Sequence, residues 1–375
     1  MSQGRRTRVL IVDDSAVMRS LLRGVIGSDP SLELVGAAAD GESALGMIDS
    51  LRPDLALLDV EMPVMDGLAT LRKLRARNAQ MPVIMCSSLT RRGAAVTVEA
   101  LAAGASDYVA KPAGQSNPAA ATRVLAGDLL PKIKALTAGS AISAPLLPAA
   151  RPVPSALVPQ PSAQLPASTP AVVVIGVSTG GPAALDIILP SLPAHFPLPV
   201  LIVQHMPELF TRLLVERLGR SCPLRVVEAA EGNPVLPGAV YIARGNWHLE
   251  VLGPARTGQP PTIHLTQAPP ENHCRPAVDV LFRSAATVYG GNILAVMLTG
   301  MGSDGLAGTR LIHARGGVVL AQDRASSAVW GMPGAVARAG LAHRIVPLRE
   351  IAAEILRVTS RSSAEPRAFR ETVAS

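Results

Sequence analysis

Apolar residues along this chain gather in short continuous runs. Most runs are followed by a stretch that is apolar at helical spacing. Val9–Val12 is such a run, and Ser15–Ile26 behind it repeats apolar positions with the helical period. Leu32–Ala37, Leu55–Leu58, Val83–Cys86 and Tyr108–Val109 read as four further strands. Glu42–Ser50, Gly67–Arg77 and Ala94–Ala103 read as the helices between them. Strands that are apolar throughout, rather than alternately, are buried on both faces. Strand and helix alternating in this way predict a five-stranded parallel sheet covered on both sides.

The rhythm returns after residue 170. Ala171–Val177, Pro199–Gln204, Asn292–Leu298 and Val318–Leu320 read as strands. Pro182–Leu189, Glu208–Gly219, Val278–Ala286 and Leu306–Ala314 read as helices. Between residues 225 and 270 Gly and Pro are denser and the strands shorter. This predicts an antiparallel insertion in a second, doubly wound α/β domain. Residues 141–170 follow neither period and hold eight Pro and one charge, Arg151. That is the composition of an extended linker. The expected division is an α/β domain over 1–125, a linker over 126–170, a second α/β domain over 171–360 and a disordered tail over 361–375.

Composition removes several classes. Cys86, Cys222 and Cys274 form no CxxC pair, against a disulfide framework or a zinc site. No apolar run approaches the roughly 18 residues of a spanning helix. The opening Met-Ser-Gln-Gly-Arg-Arg carries no signal-peptide pattern. A cytoplasmic protein, not embedded in a membrane, is expected. The net charge of +7 is thinly spread: residues 1–115 hold 13 basic and 13 acidic side chains, 116–170 four and one, 171–375 18 and 14. With aromatics at 2% there is neither a basic stripe nor a stacking platform, so nucleic acid is not an expected partner.

Ligand sites of parallel sheets lie at the carboxyl ends of strands. Asp13 and Asp14 follow the first predicted strand, Asp59 the third, Ser87 the fourth and Lys111 the fifth. Three carboxylates at one edge repel unless a cation offsets them, and hard oxygen donors suit Mg²⁺. Beside such an ion Asp59 could attack a phosphoryl group, with Lys111 and a hydroxyl sharing the charge.

In the second domain Gly176-Val177-Ser178-Thr179-Gly180-Gly181 joins a strand to a helix. Alone, this turn fits a phosphate cradle, a capped glycine turn or a nucleophilic serine. A nucleophile needs a base, and the segment has no Lys beyond Lys134. Of its histidines only His205 stands immediately after a strand. The strand Asn292–Leu298 ends in Thr299-Gly300-Met301-Gly302-Ser303-Asp304-Gly305. Ser178, His205 and Asp304 thus come from three strand ends, the ingredients of a Ser-His-Asp triad. The turn Gly300–Gly302 offers N–H groups for an oxyanion. A nucleotide-binding output domain and a non-catalytic scaffold are the competing readings.

These motifs carry a resemblance. Asp13-Asp14, Asp59 with Met62-Pro63 and Asp66-Gly67, Ser87-Ser88 and Lys111-Pro112 resemble a response-regulator receiver, a flavodoxin-like domain, over about residues 7–125. That resemblance implies phosphorylation of Asp59 by a histidine kinase, with Mg²⁺ at Asp14 and Asp59. It also puts Tyr108 where the family carries its switch aromatic. The sequences Ile175–Pro182, Gln204–Pro207, Arg275-Pro276 with Val278–Phe282, Leu298–Gly305 and Trp330–Pro333 resemble the CheB-type chemotaxis methylesterase domain, from about Ala171 to Leu356. This implies Ser178 as nucleophile, His205 as general base and Asp304 as its orienter. It implies the Met301 N–H as oxyanion donor and Thr179 as a supporting hydroxyl. The implied partners are a chemotaxis histidine kinase and methyl-accepting chemoreceptors. The implied reactions are hydrolysis of receptor glutamyl methyl esters and deamidation of receptor glutamines, with no cofactor for the esterase. Cys274 has no place in this reading and is expected to be a plain loop thiol.

Overall fold

The computed structural model describes residues 5–77, 80–112, 117–138, 169–253 and 258–360. The first domain runs β1 (Thr7–Val12), α1 (Ala16–Gly27), β2 (Leu32–Ala38), α2 (Gly41–Leu51), β3 (Leu55–Asp59), α3 (Gly67–Ala76), β4 (Val83–Ser87), α4 (Arg91–Ala102), β5 (Asp107–Ala110) and α5 (Pro118–Thr137). Its strands pair in parallel in the order β2-β1-β3-β4-β5. A polar side chain starts each of the first four helices, and α4 begins three residues before the expected Ala94. Ser15, Asp40, Asp66 and Thr90 each accept a backbone N–H of the first turn of α1, α2, α3 and α4.

One boundary differs from expectation. The helix α5 continues past residue 125 to Thr137. Leu125, Leu129, Ile133 and Leu136 bury one stripe of it against the β-sheet core. Pro131 inside the helix and the Ala-rich surroundings mask that spacing in the sequence. Most of the expected linker, residues 139–168, and the expected tail, 361–375, lie outside the described residues.

The second domain runs β6 (Val172–Val177), α6 (Gly181–Ile188), β7 (Val200–Gln204), α7 (Glu208–Ser221), β8 (Arg225–Glu228), β9 (Ala239–Ile242), β10 (His248–Leu252), β11 (Thr262–Thr266), α8 (Val278–Tyr289), β12 (Ile293–Met297), α9 (Leu306–Ala314), β13 (Val318–Gln322), α10 (Met332–Arg338), β14 (Arg344–Val346) and α11 (Ile351–Thr359). Seven strands pair in parallel in the order β14-β13-β12-β6-β7-β9-β8. The antiparallel insertion is smaller than its Gly- and Pro-rich sequence suggests. Among the described residues β10 and β11 are the strands that form it, while β8 and β9 extend the parallel sheet. Every residue of β6, β7, β12 and β13 is buried, the mark of a sheet covered on both faces.

In each sheet the chain reverses its direction of travel once, between β1 and β3 and between β6 and β12. Such reversal points open a crevice at the strand ends. The two domains share an apolar core. The helix α4 packs on α6 and α7, and Val98 and Leu101 join Leu185, Phe210 and Leu214 in one buried cluster.

Candidate active site

The loops after β6, β7 and β12 meet because these strands are neighbours. Backbone bonds carry their register into the loops. Leu298 donates to Gly176 O (2.9 Å), Ser178 to Thr299 O (3.0 Å) and His205 to Val177 O (3.2 Å). Gly300 must lack a side chain, since a Cβ there would fall 2.9 Å from Ser178 Cβ and 2.4 Å from Met332 Sδ.

His205 Nε2 lies 2.8 Å from Asp304 Oδ2. The carboxylate is buried and well supplied with donors. Oδ2 also accepts Val278 N–H (2.7 Å), and Oδ1 accepts Asp279 N–H (3.1 Å), Gly305 N–H (2.9 Å) and Asn272 Nδ2 (2.8 Å). Burial works against its charge, but His205, the start of α8 and Asn272 together hold it below the usual carboxylate range. Burial also disfavours an imidazolium, yet Asp304 and Cys274 outweigh it and lift His205 to about 9. With Nε2 committed to Asp304, the other nitrogen, Nδ1, is the one left for proton transfer. It lies 3.6 Å from Cys274 Sγ. The Ser178 side chain makes no hydrogen bond among the described residues, so Ser178 and His205 share a cleft without yet being bonded.

Ser178, His205, Asn272, Cys274 and Met301 line a cleft of about 880 Å³. The Gly300 N–H is committed to Val329 O (3.0 Å), whereas the Met301 N–H has no acceptor among the described residues. Sequence reasoning missed Asn272, whose Nδ2 also donates to Asp279 Oδ2 at 3.0 Å. Its φ of 52° is a conformation that asparagine tolerates better than most residues. Cys274 is not the plain loop thiol expected, because the loop before α8 sets its Sγ against the His205 ring.

The cleft is completed by the receiver-like domain, whose Asp107 and Tyr108 line its wall. Thr179 Oγ1 donates to Asp107 Oδ2 at 2.6 Å in a buried bond. The Tyr108 ring stacks on Phe210 of α7, centroids 4.5 Å apart. Lys132 of α5 donates to Tyr108 O (2.7 Å) and lies 3.7 Å from Asp107 Oδ1.

At the other crevice Lys111 Nζ bridges Asp13 Oδ2 and Asp59 Oδ1, each at 2.8 Å. Burial pushes the Asp59 carboxyl up despite Lys111 and the Val60 N–H. Asp14 is exposed at the rim, and one oxygen each of Asp13, Asp14 and Asp59 come within 4.8 Å of one another. One predicted residue sits differently. Ser87 is fully buried, accepts from Thr97 Oγ1 (2.7 Å) and donates to Ser88 O (3.1 Å). Its hydroxyl is turned under α4, where a buried polar group needs a partner. Ser88 lines the acidic cleft instead.

Residues 173–355 match the family profile "CheB methylesterase", and residues 9–123 match "Response regulator receiver domain". The chain is 49% identical over 362 residues to a protein of Nocardioides sp. named protein-glutamate methylesterase/protein-glutamine glutaminase, covering 94% of this chain and 96% of that one. This chain belongs to the CheB methylesterase family. A relative of the same name from Trichodesmium erythraeum is 46% identical over 352 residues, 93% of this chain and 98% of that one. Two solved Thermotoga maritima CheB structures also align. The methylesterase catalytic domain is 42% identical with a TM-score of 0.49, covering 51% of this chain and 99% of that chain. The response regulator domain is 43% identical with a TM-score of 0.32, covering 35% and 95%. The chain is accordingly an enzyme, a CheB-family methylesterase with a receiver domain in front. Among the described residues no helix is long and apolar enough to cross a membrane.

Proposed function

We propose that this methylesterase hydrolyses glutamyl methyl esters of chemoreceptors, and deamidates receptor glutamines by the same acyl transfer. Ser178 attacks the carbonyl. His205 Nδ1 takes its proton and returns it to the departing methoxide, which leaves as methanol, or to the departing amide nitrogen, which leaves as ammonia. Asp304, on Nε2, holds the ring and stabilises the imidazolium. The Met301 N–H, lacking an acceptor, meets the developing oxyanion. Water then cleaves the acyl-enzyme by the reverse steps. The observation that carries this reading is the 2.8 Å His205–Asp304 contact in the cleft that also holds Ser178.

The receiver is the control. Asp59 is the phosphoacceptor, and the kinase is the chemotaxis histidine kinase. The acidic crevice fits a hard divalent cation, because Asp13, Asp14 and Asp59 bring carboxylate oxygens together on which a single amine, Lys111, is shared. Asp14 and Asp59 would hold Mg²⁺, which supplies charge neutralisation for a phosphoryl group. In the docked arrangement the receiver walls the cleft and occupies the Thr179 hydroxyl. Phosphorylation shifts the population towards an undocked, open cleft. Methanol release from methylated receptor membranes, measured with and without a phosphodonor, tests both halves. No release sinks the esterase reading, and release indifferent to the phosphodonor sinks the control.

A further inference from the structure

We propose that Gln204 is a positioning residue for acyl transfer, a brace that fixes the separation of Ser178 and His205. It is the last residue of β7 and is 2% exposed. Its Nε2 donates to the carbonyl of Ser178 (3.0 Å) and to the carbonyl of His205 (3.2 Å). The backbone ladder between β6 and β7 ends with His205 N–H on Val177 O. Beyond that point, among the described hydrogen bonds, the Gln204 amide alone joins the nucleophile's turn to the base.

The orientation of the amide follows from chemistry, since two carbonyls can only accept. That orientation has a cost. Gln204 Oε1 is buried without a partner, and it points at Gly181, where a Cβ would lie 1.9 Å away. An orphaned buried acceptor is destabilising, and an apolar side chain would fill the same space without one. What an apolar side chain would lose is the pair of bonds from Nε2. Gly181 belongs to the same device, because only a residue without a side chain leaves room for the amide. Ser178 and His205 are not yet bonded. The brace fixes the separation of their backbones, and a misplacement of about 1 Å at such a site can cost on the order of 100-fold.

This inference rests on the reading of Ser178 as nucleophile, and its test separates the two. In the full chain, Gln204→Met keeps the volume and removes the donor. Gln204→Glu keeps the outline and sets oxygen against both carbonyls. The readouts are the labelling rate of Ser178 by a fluorophosphonate, kcat and KM for methanol release, and Tm. Gln204→Met is expected to hold its Tm and KM while kcat and labelling fall together by roughly 10- to 100-fold. Gln204→Glu is expected to fall further. Wild-type labelling in either variant overturns the brace. Labelling that persists in Ser178→Ala overturns the nucleophile, and the brace with it.

Discussion

Asp107 of the receiver accepts a 2.6 Å hydrogen bond from Thr179, the residue beside the proposed nucleophile. The bond is buried, and its acceptor is further anchored by Lys132 and by the Tyr108 N–H (2.8 Å). A hydrogen bond to a charged group contributes about 1.5–3 kcal/mol. Removing it from the docked state alone would shift the docking equilibrium by roughly 10- to 100-fold. Asp107→Ala is therefore expected to raise methanol release in the absence of phosphodonor, up to the fully stimulated rate. An unchanged basal rate in a variant that still takes up phosphate would exclude the Asp107–Thr179 bond as a latch.

The neighbouring aromatic pair predicts a dependence between residues. Tyr108 and Phe210 stack across the same interface, and such pairs contribute about 0.5–1.5 kcal/mol beyond their area. Tyr108→Ala is expected to raise the basal rate by a few-fold. Since Tyr108 adjoins Asp107, the double variant should gain less than the product of the two single gains. Full multiplicativity in the basal rates would mean the two contacts open independently.

Asp59→Asn separates control from chemistry. It removes the proposed phosphoacceptor carboxylate, which shares Lys111 with Asp13. Basal methanol release should persist, and its rise with phosphodonor should vanish. Ser178→Ala should do the reverse, lowering release by roughly 10⁴- to 10⁶-fold with phosphate uptake intact. Stimulation surviving in Asp59→Asn would move the acceptor elsewhere.

These two groupings are legible in the sequence because of what a parallel sheet does. It delivers the residue after each strand to one edge, so Asp13, Asp59 and Lys111 could be grouped, as could Ser178, His205 and Asp304. What stayed hidden depends on loops and on docking. Ser87 ends β4 and Ser88 follows it, and local spacing does not show that Ser87 is buried under α4 while Ser88 lines the cleft. Asn272 and Cys274 sit in a loop without periodicity, held by long-range polar contacts such as Arg283–Glu271 and Arg275–Asn246. The Thr179–Asp107 bond joins separate domains, beyond the reach of local pattern. The apolar stripe Leu125, Leu129, Ile133 was available in the sequence, but proline and alanine obscured it.

The charge balance around His205 gives a signed pH prediction. Its conjugate acid titrates at about 9, raised by Asp304 and Cys274 against burial. A general base must be neutral, so kcat/KM should climb as pH rises towards about 9 and then level. Asp304→Asn removes the carboxylate that favours the imidazolium, so the rise should move to lower pH. The plateau should meanwhile drop by as much as about 10⁴-fold, as the ring loses its orienter. Asn272→Asp should act with the opposite sign on the profile. It replaces the amide shared by Asp279 and Asp304 with a third negative charge, favouring the imidazolium and moving the rise to higher pH. Profiles of the two variants that shift in the same direction would show that His205 does not titrate against this carboxylate group.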